Sequence, residues 1–159
     1  MENRKLEDGE TNASDGGEME EKIVKSLVLL MLLINGLLDW KKGEISLFSL
    51  VGFGVLGIGL NLWLKYQSLV EVIGGMGIGI ILLATAFFTR EAIGFGDGLL
   101  ICVSGIYLGL WRNLGLLILG AVCCGMILGI GILAGRLKMA DRVPFVPFLL
   151  FAFIGRMIF

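Results

Sequence analysis

The sequence has 159 residues, of which 57% are hydrophobic and 17% are charged, and its formal net charge is −1. Soluble domains carry about 25% charged residues, so this composition indicates a membrane protein. The absence of histidine excludes Ser-His and Cys-His catalysis, as well as metal sites built on imidazole.

The first 22 residues differ in composition from the rest of the chain. They contain eight of the fourteen acidic residues and three basic ones, a net charge of −5. Residues 23–159 contain ten basic and six acidic residues, a net charge of +4. Because residues 1–22 lack aromatic side chains and carry a high net charge, we expect a disordered acidic tail. Residues 23–159 are expected to form the membrane domain.

Apolar runs separated by short polar segments predict an all-α membrane protein, a compact bundle of about six transmembrane helices. The expected helices span residues 23–38, 45–64, 70–88, 98–111, 114–133 and 145–159. One helix that joined the fourth and fifth runs across Arg112 and Asn113 would exceed about 30 residues, more than one crossing needs, so we reject it.

The spacing of glycines inside the predicted helices indicates tight packing. Glycines four residues apart favour close helix contacts in lipid. The pairs are Gly75 and Gly79, Gly105 and Gly109, Gly125 and Gly129, and Gly131 and Gly135.

The three cysteines lie in apolar runs without a Cys-x-x-Cys spacing; they are Cys102, Cys123 and Cys124. They are therefore interpreted as buried thiols, and no metal site is expected.

Basic residues in the short loops predict the orientation in the cell membrane. The loops after the first, third and fifth helices contain six of them: Lys41, Lys42, Arg90, Arg136, Lys138 and Arg142. The loops after the second and fourth helices contain two, Lys65 and Arg112. The positive-inside rule then places the first group of loops in the cytoplasm and the acidic tail outside.

Six acidic residues lie outside the tail: Asp39, Glu44, Glu71, Glu91, Asp97 and Asp141. Four of them are interpreted as solvated loop charges, whereas Asp39 and Asp97 adjoin apolar helices on the predicted cytoplasmic face. Carboxylates in such positions are candidates for function. One ionised and one protonated carboxyl group can together activate water and polarise a peptide carbonyl. The simpler alternatives are a helix N-cap for Asp97 and a solvated loop position for Asp39.

The surroundings of the two aspartates suggest how each is used. Glycines around Asp97 would let another backbone approach the carboxylate, or would simply form a turn. Asn35, one helical turn before Asp39, is expected either to orient that carboxylate or to make an interhelical hydrogen bond. If Asp97 precedes a helix N-terminus and Asp39 follows a C-terminus, the helix dipoles favour Asp97 as the base and Asp39 as the proton carrier.

The segment Gly94-Phe95-Gly96-Asp97 has the Gly-x-Gly-Asp form of a class of membrane aspartyl proteases. The sequence resembles a short type IV prepilin peptidase of that class. Asp39 followed by basic residues and Ile45 agrees with the family pattern, and residues 143–148 resemble its Pro-Phe-Gly-Pro-Phe segment. Four positions depart from residues usual in the family: Ser46, Leu47, Leu99 and Val146.

The resemblance implies an aspartyl endopeptidase that cuts the leader of prepilin-like or pseudopilin-like proteins at the cytoplasmic face. It implies Asp39 and Asp97 as the catalytic pair, no cofactor or metal, and no nucleic-acid partner. Further residues are expected to bind substrate or shape the loops: Gly94, Gly96, Gly98, Pro144 and Pro147. The cysteine-rich domain of larger members is missing, so N-methylation is not expected. The competing functions are a small ion-coupled carrier that uses the same two aspartates and a scaffold in a secretion assembly.

Overall fold

The computed structural model describes residues 2–42, 45–88, 94–134 and 144–158, with the side chains of α1 described over residues 17–41. The helices are α1 (Glu2–Lys42), α2 (Leu47–Leu64), α3 (Leu69–Phe88), α4 (Phe95–Leu133) and α5 (Val146–Ile158). No strand occurs in these ranges, and four of the helices are long and apolar enough to cross a membrane. The expected all-α membrane fold is therefore confirmed.

Helix α1 includes the acidic segment that the sequence predicts to be disordered. The helix begins at Glu2, and its membrane-spanning part runs over Gly17–Lys41. Pairs of opposite charge four residues apart stabilise a helix, and Glu18 with Lys22 is one such pair in this segment, at 3.2 Å. The segment is thus helical, and the division of the chain at residue 22 stays a prediction.

Helix α4 reverses its direction at Gly109. A straight helix of 39 residues would be about 58 Å long, nearly twice the thickness of the hydrocarbon core. Gly109 instead has φ 72° and ψ −177°, a backbone conformation that is essentially restricted to glycine. The Gln67 side chain occupies the space where a Cβ of Gly109 would lie, and its amide donates to the Tyr107 carbonyl at 3.1 Å. The two arms of α4, residues 95–108 and 110–133, therefore turn back on each other.

A buried polar cluster holds the reversal in place. The Asn113 side-chain amide donates to the carbonyls of Ile101 (2.9 Å) and Gly75 (3.0 Å), and its oxygen accepts from the Ser104 hydroxyl at 2.7 Å. Residues 101 and 113 would be about 18 Å apart along a straight helix. The two arms correspond to the fourth and fifth predicted helices, but the break lies at Gly109 instead of at Arg112 and Asn113.

Glycine contacts bring α3 and α4 close together, as the glycine spacing predicts. A Cβ on Gly75 would overlap the backbone of Gly105, and one on Gly79 would overlap the backbone of Cys102. The prediction is wrong for Gly125 and Gly129, because no atom of the described residues lies within 4 Å of a Cβ built on either. Gly109, the fourth residue after Gly105, forms the turn rather than a packing face, and Gly135 lies outside the described residues.

The core lies where α1 and α5 pack against α4, and α5 meets the second arm of α4, where a Cβ on Gly120 would lie 2.6 Å from the side chain of Leu149. Its fully buried side chains come from these three helices: Val28, Met31, Leu32, Leu100, Ile101, Leu116 and Leu149. At one end of this core, Glu21 pairs with Arg112 beside the Gly109 turn, at 3.2 Å. At the other end, Asp39 meets the start of α5. The rise of α1 separates Glu21 from Asp39 by about 27 Å, which is close to the thickness of a membrane core.

Candidate active site

Asp39 lies in the final turn of α1 and faces the N-terminus of α5. One oxygen of its carboxylate, Oδ2, accepts a hydrogen bond from the backbone N–H of Val146 at 3.2 Å. Gly36, one turn earlier on α1, faces Val146, and a Cβ built there would lie in ordinary van der Waals contact with Cγ1 of Val146, at 3.7 Å. The position expected for Asp39, after the end of a helix in a polar loop, is therefore wrong.

The proline segment leads into α5 and leaves a backbone donor free for Asp39. Val146 is the first residue of α5, where an N–H has no partner within the helix. Pro147 follows in the first turn, where the missing N–H of proline removes no helical hydrogen bond. The substrate-binding or loop-shaping role expected for Pro147 stays a prediction. Pro144 lies two residues before the helix and is partly buried.

Asp97 is the third residue of α4 and is half-buried. Gly94 is the N-cap of the helix, and its carbonyl accepts the backbone N–H of Asp97 at 3.1 Å. The alternative that Asp97 itself is the N-cap is therefore wrong. Within the described residues, no hydrogen bond is donated to the Asp97 carboxylate. Asp97 thus lies in the first turn of α4, whereas Asp39 lies in the last turn of α1 and beside the N-terminus of α5. The assignment of Asp97 as the base and Asp39 as the proton carrier stays a prediction.

The three glycines around Asp97 make room for three different neighbours. A Cβ on Gly94 would lie 2.7 Å from Oδ2 of Asp97 itself. One on Gly96 would lie 2.9 Å from the side chain of Ile45, which precedes α2, and one on Gly98 would lie 3.0 Å from Leu83 of α3. In the described structure, side chains of the protein itself occupy the space beside these glycines.

The fold brings Asp39 and Asp97 to the same end of the bundle. The Asp39 carboxylate lies within electrostatic range of the Asp97 carboxylate. The second arm of α4 returns to this end as well, because Cys124 is within electrostatic range of Asp97. All three cysteines are partly buried free thiols. Where the structure describes the chain, no group of three or more Cys, Asp or Glu side chains is placed to hold a metal ion.

Two polar residues near the site have roles that the sequence left open or missed. Asn35 is fully buried and donates to the Met31 carbonyl (2.9 Å) and to Oγ of Ser49 on α2 (3.4 Å). It therefore makes the interhelical hydrogen bond and does not orient Asp39. Ser46 is the N-cap of α2 and accepts the Ser49 N–H at 3.4 Å. A serine directly before an apolar run is a recognised signal for such a cap.

Several of the polar residues that enter the sequence predictions lie outside the described chain or side chains. They are Lys42, Glu44, Arg90, Glu91, Arg136, Lys138, Asp141 and Arg142.

A family model described as the type IV leader peptidase family matches residues 26–130, more than half of the chain. The chain belongs to the type IV leader peptidase family. The matched range includes both Asp39 and Asp97 and ends before Pro144 and Pro147. The family resemblance expected from the sequence is thereby confirmed, and with the spanning helices it makes the chain a multi-pass membrane peptidase of the prepilin-peptidase type. Membership in a peptidase family argues against the alternative hypothesis that the protein is an ion-coupled carrier. No match was found among curated proteins or among solved structures.

Proposed function

We propose that this leader-peptidase family member is an aspartyl endopeptidase that cleaves the leader of prepilin-like or pseudopilin-like proteins, with Asp39 and Asp97 as the catalytic pair. One observation carries the proposal: two half-buried carboxylates from distant parts of the sequence lie within electrostatic range at one end of the bundle. Repulsion between close carboxylates favours a state in which the pair shares one proton.

A shared proton suits the two halves of peptide hydrolysis. The ionised carboxylate removes a proton from water, and the water oxygen attacks the carbonyl carbon of the scissile bond. The protonated carboxyl group donates to the carbonyl oxygen and so stabilises the charge that develops there. The proton taken from water then passes to the leaving nitrogen as the C–N bond breaks. The Val146 N–H fixes one oxygen of Asp39 and leaves its other oxygen for substrate or water.

The placement of the pair supports a substrate that is cut beside its own membrane helix. Both aspartates lie at an end of the bundle and not at its middle, so a leader that emerges from the bilayer can reach them. We assign this end to the cytoplasm, in accord with the six basic residues of the adjoining loops.

The test is cleavage of a prepilin-like substrate by Asp39→Asn and Asp97→Asn in membranes. Each change keeps the shape of the side chain and removes the acid–base function, so each should lower the rate by about 10²–10⁴-fold. The double variant should lose no more than either single variant, because the two groups act as one unit. Glu71→Gln, a loss of carboxylate at the other end of the bundle, is the matched control and should cleave normally.

Near-normal cleavage by either aspartate variant would contradict the two-aspartate mechanism. Equal membrane levels of all variants, measured by immunoblotting, would separate loss of chemistry from loss of protein.

A further inference from the structure

A charged cleft lies at the end of the bundle opposite to the aspartates. It has a volume of about 160 Å³ and is lined by residues of α1, α4 and α5 and by the segment that follows α2. Its polar wall includes the charged residues Glu21, Lys25, Arg112 and Arg156 and the hydroxyl of Tyr66, which accepts from Arg112 at 3.1 Å. Val24 and Phe153 belong to its apolar wall. The cleft is not part of the proposed active site.

Positive charge exceeds negative charge in this cleft. Glu21 is the carboxylate among the lining residues, and its Oε1 is shared by Lys25 at 3.1 Å and Arg112 at 3.2 Å. Arg156 donates instead to the backbone carbonyl of Arg112 at 2.9 Å. Among the described residues, no carboxylate lies within salt-bridge distance of Arg156. Three cations and one anion leave an excess of two positive charges.

The geometry of the cleft suits an anion with a phosphate group. A guanidinium group offers parallel N–H donors that match phosphate oxygens, and such charge-assisted hydrogen bonds are strong. The position along α1, about 27 Å from Asp39, places these donors at a membrane surface. Basic pockets between helices at that depth are able to bind lipid head groups.

We propose that this cleft binds the phosphate of an anionic phospholipid. Free inorganic phosphate offers the same oxygens to Arg112 and Arg156. It cannot use the apolar side of the cleft, where Val24 and Phe153 are almost fully buried and Met157 is 51% exposed. A phospholipid can occupy both parts of the site, with its head group on the arginines and an acyl chain beside Met157. Binding would link α1, the turn of α4 and α5.

The test measures lipid binding to the full chain by native mass spectrometry in detergent. Phosphatidylglycerol, phosphatidylcholine with the same acyl chains, and inorganic phosphate are compared. Wild-type protein should retain phosphatidylglycerol in preference to phosphatidylcholine, and inorganic phosphate should not displace it. Arg156→Gln should weaken phosphatidylglycerol binding by about tenfold, through loss of a charge-assisted contact, and Arg156→Lys should restore part of it.

Lys22→Gln is the matched control. Lys22 is exposed at the end of α1 that is near the cleft, but it does not line the cleft. Its change to glutamine removes one positive charge, as Arg156→Gln does. Equal weakening by Lys22→Gln and Arg156→Gln would overturn the site in favour of general surface charge. Unchanged binding by both Arg156→Gln and Arg112→Gln would also overturn it. Displacement of the lipid by millimolar phosphate would overturn the choice of a phospholipid. Retained leader cleavage would show that the variants are folded.

Discussion

At the scale of single residues, three of the four positions that depart from the family pattern have clear structural roles. Val146 stands where glycine is usual, yet its contact with Asp39 is made by the backbone N–H, which any residue except proline can supply. Its side chain packs beside Gly36 of α1. Ser46 stands where proline is usual and caps α2. Leu99 packs against the core, and Leu47 is exposed. These departures leave the two aspartates in place.

Gly94→Ala should lower leader cleavage with little effect on stability. The added Cβ would meet Oδ2 of Asp97 at 2.7 Å, so the end of that flexible side chain must move while the backbone stays. A small misplacement of a catalytic group can cost on the order of a hundredfold in rate. The measurement is the cleavage rate at equal protein level. Gly52→Ala on α2, where no atom lies within 4 Å of the new Cβ, is the control. Similar rates for the two variants would contradict this role of Gly94.

At the scale of helices, the pairing of α3 with α4 depends on the absence of side chains at two facing positions. Gly75 and Gly105 bring the two backbones into contact, and Asn113 fixes the same place by donating to the Gly75 carbonyl. In lipid, burial of apolar surface does not drive helices together, so close packing and interhelical hydrogen bonds must do so. Both occur at Gly75.

Gly75→Ala should therefore destabilise the bundle, whereas Gly77→Ala on the same helix should not. The Cβ added at residue 75 would overlap the backbone of Gly105, which cannot move aside cheaply, and overpacking of this kind costs about 1–3 kcal/mol. A Cβ at residue 77 has no neighbour within 4 Å. Thermal unfolding in detergent, followed by circular dichroism, measures the difference. Equal midpoints for the two variants would show that the α3–α4 contact is looser than described.

At the scale of the whole molecule, the fold separates two ends with different chemistry. One end holds Asp39, Asp97 and the start of α5, and the other holds the Gly109 turn and the basic cleft. The loops at the aspartate end contain six basic residues, and the loops at the cleft end contain two. The fold adds three further basic residues to the cleft end: Lys22, Lys25 and Arg156. The bias becomes six against five, and it still places the aspartates at the cytoplasmic end.

Single cysteines at Lys41 and Ser68, both exposed and at opposite ends of the bundle, provide a direct measurement of the orientation. In a background with the three native cysteines replaced by alanine, a membrane-impermeant maleimide should label Ser68→Cys in intact cells. Lys41→Cys should be labelled only after permeabilisation, because the site end is assigned to the cytoplasm. The reverse pattern would contradict the assigned orientation, and labelling of both from one side would contradict the arrangement of the two ends.

The sequence by itself determined the class of fold, the family and most helix boundaries. Apolar runs, glycine spacing and the Gly-x-Gly-Asp segment are local features, and α2, α3 and α5 begin and end within a few residues of the predicted positions. The packing partners of Gly75 and the basic cleft were decided by tertiary structure. So was the contact of Val146 with Asp39, which joins residues 107 positions apart. Such contacts depend on which helix ends meet in space, and hydrophobic periodicity along the chain holds no information about that.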